Sequence, residues 1–201
     1  MDFTKVKAAL EARGFAVTVC ATKADAAAYL NARIDGGSVG FGGSMTLAEL
    51  GLFESLSAHN TVYSHWNAPA GTDAGETRAA AAAADVYLCS VNAIAETGEI
   101  VNIDGAGNRV AGMLNGHKKV YLVVGRNKLA PTYDEALWRA RNVAAPKNAQ
   151  RLGVRTPCAA RGDKCYDCNS PERICRGLVV LWRRMMGSDM EVVLVDEELG
   201  Y

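Results

Sequence analysis

The chain has 201 residues, 49% of them apolar and 22% charged, with lysine plus arginine equal to aspartate plus glutamate at 22 each. This composition suits one well-buried globular domain over residues 1–201 and excludes the low-hydrophobicity, high-charge signature of disorder. A formal net charge of zero gives no global field to draw in nucleic acid or an anionic membrane, so the expected partner is a small molecule or a protein.

At the N-terminus, Met1-Asp2-Phe3-Thr4-Lys5 has no apolar run behind it. Neither a signal peptide nor a transmembrane segment is expected there, and the chain is read as cytoplasmic. In that reducing compartment a tight group among the six cysteines points to metal ligation or catalysis before disulfides.

Val6 and Leu10 stand at helical spacing before Gly14, a helix stop, and residues 15–20 (Phe-Ala-Val-Thr-Val-Cys) follow as a strand. Thr22 with Asp25 forms a capping-box pattern that opens an alanine-rich helix to about Arg33. Residues 38–41 read as a short buried strand. Gly42-Gly43-Ser44-Met45-Thr46 then feeds a helix with Leu47, Leu50, Leu52 and Leu56, for which Thr46 and Glu49 offer capping spacing. Residues 61–64 are a strand. A helix starts near Asp73 with Glu76 three residues on, and its alanine run at 79–84 predicts close packing against a neighbour.

Residues 85–90 and 119–124 are apolar strands, the second the strongest in the chain, and a turn at 96–99 links two short extended pieces, the second at 100–103. A helix is expected over roughly 132–143. Residues 178–182 and 191–195 read as a closing strand pair. Strand and helix units with continuous apolar strands predict an α/β fold, a mostly parallel sheet with helices on both faces. The cysteine-rich stretch 156–176 is expected to be a loop within it.

That loop carries Cys158, Cys165, Cys168 and Cys175, one CxxC flanked on each side by a six-residue spacer. Four thiolates complete a tetrahedral zinc site or the corner ligands of a 4Fe–4S cluster. Arg155, Arg161, Lys164, Arg173 and Arg176 outnumber Asp163, Asp167 and Glu172, which offsets the thiolate charge in either case. A zinc ribbon usually joins two CxxC knuckles, and the single knuckle favours iron–sulfur, with zinc the alternative. The centre pins a loop in one reading and does chemistry in the other. A dithiol pair at Cys165 and Cys168 would leave the flanking cysteines without a role. Cys20 and Cys89 read as small buried hydrophobes.

Gly40, Gly42, Gly43, Ser44 and Thr46 lie where a strand passes into a helix, so backbone N–H groups and two hydroxyls face one anion, the glycines allowing close approach and positive φ. A plain capped turn would share the pattern, which matches neither nucleotide fingerprint. Asn92, and then Asp104, Asn108 and Arg109, follow strands at the end where parallel sheets bind ligands, and suit a hydroxy acid or sugar phosphate. A turn held by Asx hydrogen bonds would look alike. Lys128 ends a third polar stretch, Gly125-Arg126-Asn127-Lys128. Asp104 and Glu96 are bases by position alone. His59, His65 and His117 show no ligand spacing, and Trp138 and Trp182 read as packing groups.

Taken in order, GFGGSMTLAELG from Gly40, SVNAI from Ser90, VNIDGAGNRV from Val101 and VGRNK from Val124 resemble the LUD, or lactate-utilisation, domain family over nearly the whole chain. CYDCNSPERIC from Cys165 resembles its single-domain, cysteine-containing branch. The resemblance implies a fold like that of ribose-5-phosphate isomerase and the CoA transferases, where an analogous glycine turn grips substrate phosphate or carboxylate. It also implies a link to bacterial oxidation of lactate to pyruvate, beside iron–sulfur subunits as redox partners. Two functions follow: a protein binding a small anionic metabolite next to a Cys₄ centre, or a non-enzymatic accessory or regulatory subunit with a structural metal. A homo-oligomer is compatible with both.

Overall fold

The computed structural model describes residues 3–201. Met1 and Asp2, on which part of the leaderless reading of the N-terminus rests, lie outside the described residues. Among the described residues, ten strands form two sheets. The larger contains β1 (Ala16–Cys20), β2 (Ser38–Phe41), β3 (Thr61–Tyr63), β4 (Val86–Cys89), β7 (Lys119–Gly125) and β10 (Asp189–Val195), in the order β1-β10-β7-β4-β2-β3. Every neighbouring pair in it is parallel. The smaller has the order β8-β5-β6-β9, from β5 (Ala93–Ala95), β6 (Ile100–Asp104), β8 (Leu129–Ala130) and β9 (Gly177–Leu181). It is mixed, with β6 antiparallel to both β5 and β9.

Strand alternation divides the core. Val120, Leu122 and Val124 of β7 join Val192 and Leu194 of β10 on one face, where α1 (Phe3–Ala12) contributes Val6 and Leu10 and α6 (Asn108–Leu114) contributes Met113. Ile94, Ile100 and Leu181 bring the smaller sheet to the same face. Tyr121, Val123, Val193 and Val195 point the other way, into Leu30 of α2 (Lys23–Arg33), Leu47 of α3 (Met45–Glu49) and Leu52 and Leu56 of α4 (Leu52–Ser57). Helices thus flank both faces, and the central strands β4, β7 and β10 are nearly all buried, whereas the edge strands β1 and β3 are partly exposed.

Several expectations change. β9 and β10 are not a pair: β9 registers Leu178 to Val180 against Ile103 to Val101, and β10 lies between β1 and β7. Their burial differs accordingly: Val192 to Val195 are all fully buried, whereas Leu178 is half exposed. The helix after the glycine turn is two helices, broken at Gly51 with φ +63. Its cap is Ser44, whose side chain accepts from the Leu47 amide, and not Thr46, which lies inside the first turn.

The predicted helix at 132–143 begins with α7 (Tyr133–Arg139), passes through a π turn at Ala140–Ala144 and continues as α8 (Ala145–Leu152). Pro146 lies in the first turn of that continuation and has no N–H to give the preceding turn. The π turn absorbs that loss, with the Ala145 amide reaching back to Ala140 O. Residues 156–176 are irregular apart from the short α9 (Pro157–Arg161), which Thr156 caps and Gly162 ends. Most of the alanine run lies in α5 (Ala74–Ala82), and its predicted close packing is real: the Ala81 carbonyl abuts Gly40 of β2. Trp138 and Trp182 are 59% and 69% exposed, so neither is a packing group. Among the described residues no helix is long and apolar enough to cross a membrane.

Candidate functional site

The C-terminal ends of β2, β4 and β7 open on a cavity of about 560 Å³. Gly43 and Ser44 reach it from beyond β2, Asn92 from beyond β4 and Lys128 from beyond β7. The smaller sheet adds Asp104 from the end of β6, and the first turn of α6 adds Asn108 and Arg109. Residues from four separated sequence stretches therefore line one cavity. Gly40, Gly42 and Thr46 are near it without lining it.

The glycines are needed for a different reason from the one expected. None of Gly40, Gly42 and Gly43 has positive φ, so the turn is not a nest built from left-handed residues. Each instead admits a neighbour that a side chain would displace. A Cβ on Gly40 would come 2.2 Å from Ala81 O, one on Gly43 would come 2.7 Å from the Trp66 ring, and one on Gly42 would press on Arg109, Cys89 and Tyr87 at 3.0 Å. Spacing alone does not distinguish a glycine that bends the chain from one that lets something pass close.

Thr46 is fully buried and works through Lys128. Lys128 Nζ donates to Thr46 Oγ1 at 2.8 Å, Ser90 Oγ at 2.9 Å and Val91 O at 3.1 Å, while Thr46 passes its own proton to Leu199 O at 3.3 Å. Lys128 is 3% exposed. Burial, followed by the like charges of Arg139 and Arg109, lowers its pKa to about 7.

Arg109 is tied on every side. Nη1 donates to Ser90 O and Asn102 Oδ1, Nη2 to Ile103 O and Asn92 Oδ1, and Nε lies 3.5 Å from Asp104 Oδ2. Its role in the wall is to hold β4, β6 and the Asn92 turn together. Asp104 Oδ1 accepts from the Gly107 amide, and Oδ2 is buried with no hydrogen-bond partner, its contact with Arg109 being ionic only.

The opposite rim was not foreseen. Trp66 covers Gly43, and the Arg151 guanidinium lies 4.6 Å above its ring. His65 meets Trp66 edge-on, and burial and then Arg78 lower its pKa. Tyr201 completes the rim. Trp66 sits in a polar loop, and Arg151 lies beyond Pro146, so neither stood in any motif. Six cationic side chains border the cavity (Arg78, Arg109, Lys128, Arg151, Arg173 and Arg176) against the carboxylates Asp104 and Glu172. Glu172 is itself paired with Arg155. A chain of zero net charge thus gathers positive charge at one cavity.

The cysteine loop forms the remaining wall. Arg176 N–H donates to Asp104 O at 2.9 Å, and Gly105 lies so close to the loop that a Cβ would meet Ile174 O at 2.5 Å. Cys175 consequently lines the cavity. It also lines a much smaller one bordered by Cys158, Cys165 and Cys168, with Arg141 and Arg173 in its wall. Cys165 Sγ accepts from the Asp167 amide at 3.3 Å and from Arg141 at 3.8 Å, and Cys158 Sγ lies 3.3 Å from Thr156 Oγ1. Asp167 has φ +45, which turns its amide toward that sulfur. Among the described residues, no three histidine, cysteine, aspartate or glutamate side chains are arranged to hold one metal ion. Cys20 and Cys89 are buried in strands, as expected, and burial raises the Cys89 pKa to about 12.

A family model described as LUD domain matches residues 3–195. Among solved structures, a DUF162 family protein from Deinococcus radiodurans is similar, with a TM-score of 0.56 at 14% identity, covering 96% of this chain and 95% of that one. At that identity the likeness concerns the fold. The search of curated proteins gives no match.

Proposed function

The chain belongs to the LUD domain family, and from that premise we propose that it is a cytoplasmic lactate-utilisation-type protein binding a small anionic metabolite, a hydroxy acid, its 2-oxo acid or a sugar phosphate. The observation that carries this reading is the double position of Cys175, which borders both the cationic cavity and the small cavity of the four cysteines. In this reading Arg78, Arg151 and Arg176 orient the ligand's anionic group, and Ser44, Asn92 and Asn108 offer it polar contacts. Trp66 limits access of water from the rim. Arg109 keeps the Asn92 and Asp104 segments in register.

Cys158, Cys165, Cys168 and Cys175 would hold a 4Fe–4S cluster, which when bound supplies one-electron transfer between the cavity and a redox partner subunit. Four thiolates suit either a cluster or a single zinc ion, and the one CxxC knuckle favours the cluster. Hydrogen bonds to Cys165 and Cys158 and the guanidinium groups of Arg141 and Arg173 suit an anionic thiolate set.

The test is anaerobic turnover. Protein purified without oxygen is mixed with lactate and an artificial electron acceptor, and reduction of the acceptor is expected. No reduction, with Tm also indifferent to lactate, pyruvate and phosphate, would contradict the proposal. A metabolite that raised Tm without turnover would instead fit an accessory or regulatory subunit.

A further inference from the structure

Rim arginines are sufficient to hold an anion; Lys128 is built differently. Lys128 lines the cavity, and the partners of its amine are two hydroxyls and a peptide carbonyl, with no carboxylate among them. The charges that act on it most are like charges. Arg139 donates to Asn127 O and Asn92 O, and Arg109 is tied to the acceptors already described. A lysine desolvated beside other cations is the recognised setting of an amine nucleophile.

We propose that Lys128 Nζ forms a reversible imine with the carbonyl carbon of a 2-oxo acid held in the cavity. The inference rests on the anionic-metabolite reading and names the substrate class: the arginines take the carboxylate, and the adjacent ketone reaches the amine. Nζ attacks the carbonyl carbon, and the carbon–oxygen π pair moves to oxygen. The resulting carbinolamine loses that oxygen as water, which carries away both amine protons, and a C=N bond remains. No oxidant or reductant is consumed.

The neighbours have separate parts. Thr46 Oγ1 commits its proton to Leu199 O and so can only accept from Nζ; it positions the amine. Ser90 Oγ, 2.9 Å from Nζ and on the cavity wall, is placed to pass a proton to the departing oxygen. The low basicity of Lys128, with its pKa lowered to about 7, leaves a large neutral fraction in ordinary buffer.

The experiment is reductive trapping. The full chain is incubated with pyruvate and sodium borohydride, digested and mapped by mass spectrometry, and the same sample series is followed for Tm with pyruvate. A reduced adduct on Lys128 is expected with pyruvate and none with lactate, which shares the carboxylate and lacks the ketone. Lys128→Arg should lose the adduct, and Ser90→Ala, which keeps the amine, should form it at least about tenfold more slowly. Absence of an adduct while pyruvate still raises Tm would overturn the imine and leave the anion site standing. Absence of both would overturn the two together. Labelling spread evenly over surface lysines would also reject it.

Discussion

Lys128 Nζ lies 2.8 Å from Thr46 Oγ1, and this contact joins the end of β7 to the helix that follows the glycine turn. The two residues are remote in sequence and meet because β7 and β2 lie on either side of β4. Leu199 O, on the far side of the Thr46 hydroxyl, ties the segment after β10 into the same chain of hydrogen bonds.

Thr46→Val replaces that hydroxyl with a methyl group of similar shape. One donor to Leu199 O and one acceptor for Lys128 disappear in a fully buried place, and stability should fall by about 1–3 kcal/mol. Thr46→Ser should recover most of the loss. Urea denaturation of the two variants is the check.

Lys128 should give stability an unusual pH dependence. Its folded pKa of about 7 lies below the ordinary lysine value of 10.5, so between these values the unfolded chain binds more protons and stability rises with pH. From about pH 7 to about pH 8 the gain should approach 1 kcal/mol. Above that, the raised pKa of Cys89, about 12 against an ordinary thiol value of 9.0, acts oppositely, because the unfolded thiol ionises first. Urea midpoints across this range should rise in the wild type and stay flatter in Lys128→Met.

Arg109→Lys tests the wall. A single ammonium cannot serve Ser90 O, Asn102 Oδ1, Ile103 O and Asn92 Oδ1 together, and at least one buried acceptor loses its donor. The expected cost is about 2–3 kcal/mol, with weaker metabolite binding, both read from thermal unfolding with and without ligand.

Gly40→Ala and Gly37→Ala separate close packing from mere flexibility. At Gly40 the new Cβ would stand 2.2 Å from a backbone carbonyl, whereas at Gly37 nothing lies within 4 Å. The first should lose about 1–3 kcal/mol or more and the second should change by less than about 0.5 kcal/mol. Equal effects would refute the packing account.

The central strands were legible because burial on both faces leaves an uninterrupted apolar run, as in β4, β7 and β10. β10 was still given the wrong neighbour, since an apolar run states its burial and not its partner. The convergence of Asn92, Asp104, Asn108, Arg109 and Lys128 was legible from their places after strands. The aromatic rim was not: Trp66 and Arg151 come together only through tertiary packing, and the predicted helix ended short of Arg151. The glycine turn was found for a partly mistaken reason, its glycines serving contact with Ala81 and Trp66 and not positive φ. The exposure of Trp182 contradicted a general preference that single aromatics need not obey.

The claim on which the account most depends is that Cys158, Cys165, Cys168 and Cys175 carry an iron–sulfur cluster beside the anion cavity. The direct measurement is the iron, zinc and acid-labile sulfide content of protein purified without oxygen, in the wild type and in Cys175→Ser. The account predicts iron and sulfide in near-equal amounts, approaching about four each per chain, and a sharp loss of both in the variant. One zinc per chain with no sulfide, or no bound metal at all, would contradict it.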